Sequence, residues 1–120
     1  MRKILVVDDA ATMRQMVCFT LRRGGFEPIE AVNGQDALNK LESGPVDMII
    51  TDLNMPVMDG ITLIQNVRKM PSMKSKPILM LTTEGLASKK EQGKVAGATG
   101  WIVKPFDPDK LLQTLAKVLP

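Results

Sequence analysis

The 120-residue sequence contains no histidine. That removes the commonest general base and the commonest zinc ligand, so any chemistry must run on carboxylates, hydroxyls, lysine or a metal. A single cysteine, Cys18, leaves no disulfide to staple the fold and fits a reducing compartment. Set among Val17, Phe19 and Leu21, it reads as a small core residue. Aromatic residues make up only 3%. The net charge is +3, but the basic residues are scattered (Arg2 and Lys3, Arg22 and Arg23, Lys74 and Lys76, Lys89 and Lys90). With no dense basic helix and few rings to stack bases, they describe a solvated surface and not a nucleic-acid groove. Long apolar runs are also missing. None spans a bilayer, and the opening MRKILVVDD returns to charge too soon for a signal peptide. The expectation is a cytoplasmic protein that neither inserts into membranes nor binds nucleic acid.

What is present describes one compact domain over residues 1–120, with 44% apolar and 24% charged residues. Five short apolar, β-branched runs recur: Lys3–Val7, Glu27–Ala31, Val46–Thr51, Pro77–Leu81 and Trp101–Val103. The inner ones, ILVV, MIIT and ILML, are apolar at successive positions, as expected of parallel strands covered on both faces. Helical patterns lie between them, which makes the fold α/β with a (βα)5 order. Met13, Met16, Val17, Thr20 and Leu21 mark the inner face of the first helix, which Gly24–Gly25 should end. Asn33 is placed to cap the second, with Leu38 and Leu41 facing inward. Ile61, Ile64 and Val67 mark the third. Asp107–Pro108 opens the fifth, whose stripe is Leu111, Leu112, Leu115 and Leu119. The fourth, from about Glu84 to Ala96, holds Gly93 and few large apolar residues, so it should be the easiest to move.

Polar residues fall at one position in the pattern. Asp8 and Asp9 follow the first strand, Asp52 the third, Thr82 the fourth and Lys104 the fifth. In a parallel sheet those strand ends share a rim, where ligands of open α/β sheets bind. Singly, each has a plain explanation: Asp8 or Asp9 capping the first helix, Asp52 in a turn, Thr82 capping the fourth helix, Lys104–Pro105 in a surface loop. Jointly they do not, because three converging carboxylates repel unless a cation sits among them. All the donors are hard oxygens, which suits magnesium or manganese over zinc. A hard divalent ion beside a carboxylate, a hydroxyl and a lysine is equipment for phosphoryl transfer.

The segments VVDD, ITDLNMPVMDG, LTTEG and WIVKPF, in register along essentially the whole chain, resemble the receiver domain of two-component response regulators. The resemblance implies a doubly wound, flavodoxin-like five-stranded sheet in the order 2-1-3-4-5. It implies a switch, not an enzyme in its own right, that takes a phosphoryl group onto Asp52 from a histidine kinase with Mg2+ bound, Mn2+ substituting. Asp9 would ligate the metal directly, Asp8 partly through water, with Asp52 and the Asn54 carbonyl completing the set. Thr82 and Lys104 would each bond a phosphoryl oxygen, and Lys104–Pro105 would be cis. Met55–Pro56 and Asp59–Gly60 match the family's loop into the third helix. Trp101 stands at the family's aromatic switch position, where tyrosine or phenylalanine is usual. Asn54 and Glu84 would flank the water that hydrolyses the acyl phosphate.

Among receivers the chain is most similar to stand-alone chemotaxis proteins, which implies a monomer acting on the flagellar motor switch. Leu86 and Ala87 depart from that group, where lysines are frequent, and leave the output partner open. A phosphorelay or type IV pilus receiver is the nearer alternative. A magnesium phosphatase of the haloacid-dehalogenase type is more distant, since it needs an acid where Asn54 stands.

Overall fold

The computed structural model describes residues 1–83 and 87–119, the side chains of 87–89 excepted. Strand and helix alternate as β1 (Lys3–Val7), α1 (Ala11–Arg23), β2 (Glu27–Ala31), α2 (Gly34–Ser43), β3 (Met48–Thr51), α3 (Gly60–Arg68), β4 (Ile78–Thr82), α4 (Ala87–Ala96), β5 (Gly100–Val103) and α5 (Pro108–Val118). The strands form one parallel sheet in the order β2-β1-β3-β4-β5, as the resemblance implied. β3 and β4 start slightly later than the apolar runs. Pro77 has no N–H to enter a ladder, although its carbonyl accepts from Ile49 N–H at 3.0 Å.

Successive strand residues feed opposite layers, as a pleated backbone requires. Leu5, Val7, Ile49, Ile78 and Met80 pack with Leu41, Leu63, Ile64 and Val67 beneath α2 and α3. Ile4, Val6, Ile50, Leu79 and Leu81 pack with Val17, Leu21, Leu111 and Leu115 beneath α1 and α5. Because both faces are covered, the inner strands need no polar alternation. No helix among the described residues is long and apolar enough to cross a membrane.

Helix ends follow their capping chemistry. Asn33 accepts from Asp36 N–H, Asp59 from Thr62 N–H, and Asp107 from Asp109 N–H ahead of Pro108. At α1 the outcome differs from the capping explanation for Asp8 or Asp9: its N-cap is Ala10, with no side-chain cap. The inner stripe of α1 is Val17, Cys18, Thr20 and Leu21. Met16, expected inside, is 51% exposed, because this stripe rotates it toward solvent beside Phe19. Burial pushes the Cys18 thiol up to about 11, so it is inert packing.

α4 is the least embedded helix. Among its described residues only Gly93 is buried, and a Cβ there would overlap the Met80 side chain. Val95 is 79% exposed. The helix is tied down at its C-terminal end by Arg68, whose Nε and Nη2 donate to the Gly97 carbonyl at 3.0 and 2.7 Å. The same guanidinium holds the carbonyls of Met73, Lys74 and Lys76. The expected start of this helix at Glu84 lies outside the described residues.

The loop from β3 to α3 carries backbone strain. Val57 has φ 73, and Met58 N–H donates to the Pro56 carbonyl at 2.8 Å, closing a γ-turn around it. A positive-φ γ-turn is strained, and a β-branched residue tolerates positive φ poorly. Val57 is 79% exposed, so it has little packing to lose.

Two outcomes follow. Val57→Gly should stabilise the domain by about 1 kcal/mol, read as a higher urea midpoint with an unchanged slope, since glycine has no Cβ to oppose positive φ; a lowered midpoint would contradict the strain. In amide exchange, Glu91–Ala96 should open at least about tenfold more readily than Val17–Leu21. Equal protection of the two segments would show α4 to be as firmly held as α1.

Candidate functional site

The register brings the polar residues together. Val7 pairs with Thr51 at the ends of β1 and β3, so the next residues, Asp8 and Asp52, stand side by side on the rim. Asp8 N–H donates to the Ala31 carbonyl (3.2 Å) and Asp52 N–H to that of Val7 (2.9 Å), carrying the ladder one residue past the strands. Thr82 pairs with Val103 at the ends of β4 and β5, and Lys104 N–H donates to the Thr82 carbonyl at 2.7 Å. From β5, Lys104 must cross β4 to reach Asp52, and β3 as well to reach Asp8. Two inter-strand spacings are about 10 Å, which calls for a long, flexible stem. Its Nζ lies 3.1 Å from Asp8 Oδ2 and 3.4 Å from Asp52 Oδ1, with all three side chains largely covered.

The acids differ in surroundings. Asp8 is 3% exposed, and its second oxygen accepts from Ala10 N–H at 2.9 Å. Asp52 is half-buried, and its Oδ1 accepts from Leu53 N–H at 2.8 Å. Asp9 is exposed, and its carboxylate takes no hydrogen bond or ion pair from the described residues. One carboxylate oxygen from each of the three can be chosen so that all lie within 4.8 Å of one another. This donor set, three hard oxygens with one acid unclaimed, fits a magnesium-like cation.

Burial pushes the Asp52 carboxyl above its ordinary value. Lys104 pulls it back down, Asp8 pushes it further up, and the Leu53 N–H lowers it. The Asp52 backbone is held as well: Thr51 Oγ1 donates to its carbonyl at 2.9 Å, and Gly60 presses so closely that a Cβ there would overlap that oxygen. Only glycine lets the start of α3 sit against the Asp52 peptide.

The other expected site residues are near but less fully specified. Thr82 is buried at the end of β4, on the same rim. Asn54 is exposed two residues beyond Asp52. The Lys104–Pro105 bond is cis. Trp101 faces outward on β5, 39% exposed, with Lys90 Nζ 4.6 Å from its ring centroid. Glu84, Leu86 and the side chains of Ala87 and Lys89 lie outside the described residues. Sequence reading missed Arg14, whose Nη1 donates to the Asp8 carbonyl at 2.8 Å while its Nε bonds Glu30 at 2.9 Å. One helical turn past the acidic pair, an arginine gives no periodic signal of such a contact.

Comparison with known proteins agrees with this geometry. Residues 4–116 match the response regulator receiver domain family. The structure of the Vibrio cholerae chemotaxis protein CheY4 superposes with a TM-score of 0.96 at 50% identity, covering 99% of both chains. The receiver domain of the sensor histidine kinase PA1611 from Pseudomonas aeruginosa PAO1, solved with a magnesium ion coordinated in its active site cleft, matches with a TM-score of 0.90 at 26% identity, covering 98% of this chain and 96% of its own. The phosphate regulon transcriptional regulatory protein PhoB of Escherichia coli (strain K12) is 36% identical over 118 residues, 98% of this chain but 52% of its own length. The chain thus spans about half the length of that curated relative. A rim of acids and lysine at these positions, on this sheet, with this family match over nearly every residue, places the chain in the response regulator receiver domain family.

Proposed function

We propose that the chain is a phosphorylation switch that accepts a phosphoryl group on Asp52 from the phosphohistidine of a histidine kinase, in the manner of a chemotaxis response regulator. The observation that carries this is Lys104 reaching both Asp8 and Asp52 across β4, beside a third acid with no partner among the described residues. The chemotaxis part rests on the 50% identity to CheY4 over nearly the full length of both chains. In this reading Asp8, Asp9, Asp52 and the Asn54 carbonyl hold a magnesium ion, with manganese able to substitute. The bound ion supplies positive charge against which the transferred group's oxygens are offset.

The chain's own residues do the rest. An Asp52 carboxylate oxygen attacks phosphorus, the bond from phosphorus to the donor's imidazole nitrogen breaks, and its electron pair leaves with the imidazole. Burial favours this attack, since it raises the basicity of the carboxylate. The acyl phosphate adds close to two negative charges. Lys104, already on the rim, exchanges its Asp52 contact for a phosphoryl oxygen, and the Thr82 hydroxyl bonds another. Thr82 pairs with Val103 across β4 and β5, so its movement reaches Trp101 and α4. Moving such an equilibrium from mostly off to mostly on takes about 5.5 kcal/mol. A few charge-assisted bonds supply that. The resemblance gives Asn54, together with Glu84 outside the described residues, the role of setting how long the switch stays on. The output partner in this reading is a flagellar motor switch protein, engaged by the receiver as a monomer.

Incubation with magnesium and a small acyl-phosphate donor should put phosphate on the wild-type protein and leave Asp52→Asn unmodified. Lys104→Ala should accept phosphate yet fail to bind the N-terminal peptide of a motor switch protein. Phosphate on Asp52→Asn would sink the acceptor assignment. A phosphorylated wild type that ignores the peptide would move the output to a relay or pilus pathway.

The Asp52 carboxyl also has a stability consequence. Its folded value lies above the ordinary one near 3.8, so the folded state holds this proton more tightly than the unfolded chain. The resulting stabilisation is complete below the unfolded value and is lost as pH rises through the folded one. At pH 7 the ionised group is therefore a burden. In metal-free buffer Asp52→Asn should melt higher than wild type at pH 7, the gap closing as pH falls through the folded value and gone below 3.8. A lower melting point for the variant at pH 7 would reverse the sign of this account.

A further inference from the structure

We propose that Arg14 is a positioning residue for cation binding: it sets the plane of the Asp8–Asp9 peptide, and Glu30 holds Arg14 in place. This deepens the metal-dependent reading above and rests on it.

Asp8 is held at every polar atom. Its N–H donates to Ala31, one carboxylate oxygen accepts from Ala10 N–H, the other from Lys104, and its carbonyl accepts from Arg14 Nη1 at 2.8 Å. Asp9 is the reverse: exposed, with no side-chain partner among the described residues. No side-chain bond steers it, so the backbone peptide, by fixing the direction of the Asp9 Cα–Cβ bond, sets the space its carboxylate can reach. Only Asp9 and Ala10 separate Asp8 from α1. A carbonyl at such a strand end is free to tilt unless something holds it, and the Asp8 carbonyl belongs to the peptide that aims Asp9. Arg14 holds it from one turn into α1, where its own N–H donates to the Ala10 carbonyl at 2.9 Å.

Arg14 is itself held. Its Nε donates to Glu30 Oε1 at 2.9 Å, and its side chain is 13% exposed. Glu30 stands on β2 opposite Val6 of β1, so the anchor belongs to the sheet. The contact uses the planar fork of guanidinium, Nε on one partner and Nη1 on the other. A lysine has no fork of that kind.

The proposal separates from plain electrostatics by sign. Arg14 is a cation close to the acids, so removing its charge alone would tighten the binding of Mg2+. Removing a residue that aims Asp9 weakens it.

The test is calorimetric titration of the whole chain with Mg2+ alone. The panel is wild type, Arg14→Ala, Arg14→Lys and, as a ligand control, Asp9→Asn. Metal-free melts check the fold, and the Asp9 amide resonance is followed by NMR. Arg14→Ala should bind Mg2+ about tenfold more weakly, at the lower end for groups that orient a metal's ligands. The Asp9 amide should shift in the metal-free variant. Arg14→Lys, which keeps the charge and the fold but not the fork, should fall between the two. Unchanged or tighter binding in Arg14→Ala, or wild-type affinity in Arg14→Lys with an unmoved Asp9 amide, overturns the positioning role while leaving the metal reading intact. Failure of the wild type to bind Mg2+ overturns both.

Discussion

Lys104 between Asp8 and Asp52 is the interaction on which the rest of the rim depends. Three carboxylates can bring oxygens within 4.8 Å of one another, and a single lysine lies 3.1 and 3.4 Å from two of them. At such separations two like charges near a protein surface repel by about 4 kcal/mol. One cation does not cancel three anions, and the residue of that imbalance is visible in the site. Asp9 is turned to solvent, where water screens it, and at Asp52 burial, with a smaller push from Asp8, outweighs the pull of Lys104 and raises the carboxyl. A site balanced in this way favours an added divalent cation. It would be badly placed to accept a further anionic group without one. In the proposed function, the need for a metal and the acceptance of a phosphoryl group are thus two faces of one excess of negative charge.

The second constraint is length. Because β4 lies between β3 and β5, the group that reaches the acids from β5 must be long, and lysine supplies that reach with a rotatable end. Such an end can leave one oxygen for another without moving the backbone. The Lys104 N–H is meanwhile fixed to the Thr82 carbonyl, so the mobile ammonium hangs from a rigid point in the sheet. Rigidity at the strand ends and mobility at one side-chain tip are what a switchable charge contact requires.

Much of this was legible in the chain, and what was not has a common reason. Apolar runs, caps such as Asn33 and Asp107, and acids at strand ends are local signals, and they placed the sheet, most helix ends and the acidic rim. The missed features are contacts made by long side chains to distant backbone. Arg68 holds a carbonyl 29 residues away, and Arg14 joins Asp8 to Glu30, 16 residues on. No periodicity records such reach. Met16 was misjudged for a related reason. A helical stripe can be rotated by one residue at little change in its apolar count, and the packing against β1 and α5 decides which edge of α1 is left outside. The strain at Val57 was equally hidden, since a valine in a loop gives no sign of positive φ. Its cause is nearby. Gly60 must reach the Asp52 carbonyl and its N–H the Leu53 carbonyl at 2.8 Å, so the chain has to double back sharply between them.

The weakness of α4 can be argued from the same kind of close approach. A glycine inside a helix costs roughly 1 kcal/mol relative to alanine, which on propensity alone reads as a defect. In the fold Gly93 is buried, and any larger residue would collide with Met80 of β4. The glycine lets α4 lie close to the strand that ends in Thr82. The helix gives up intrinsic stability and large apolar anchors, and among the described residues two side-chain contacts, besides the packing of Ala96 on the core, hold it. Arg68 binds the Gly97 carbonyl at its C-terminal end, and Lys90 sits over Trp101 on the neighbouring strand. The first is a set of hydrogen bonds to a half-buried guanidinium, the second a partly exposed cation–π contact worth about 1 kcal/mol. The firmer of these two holds is at Gly97, where φ is 114 and the chain turns toward β5.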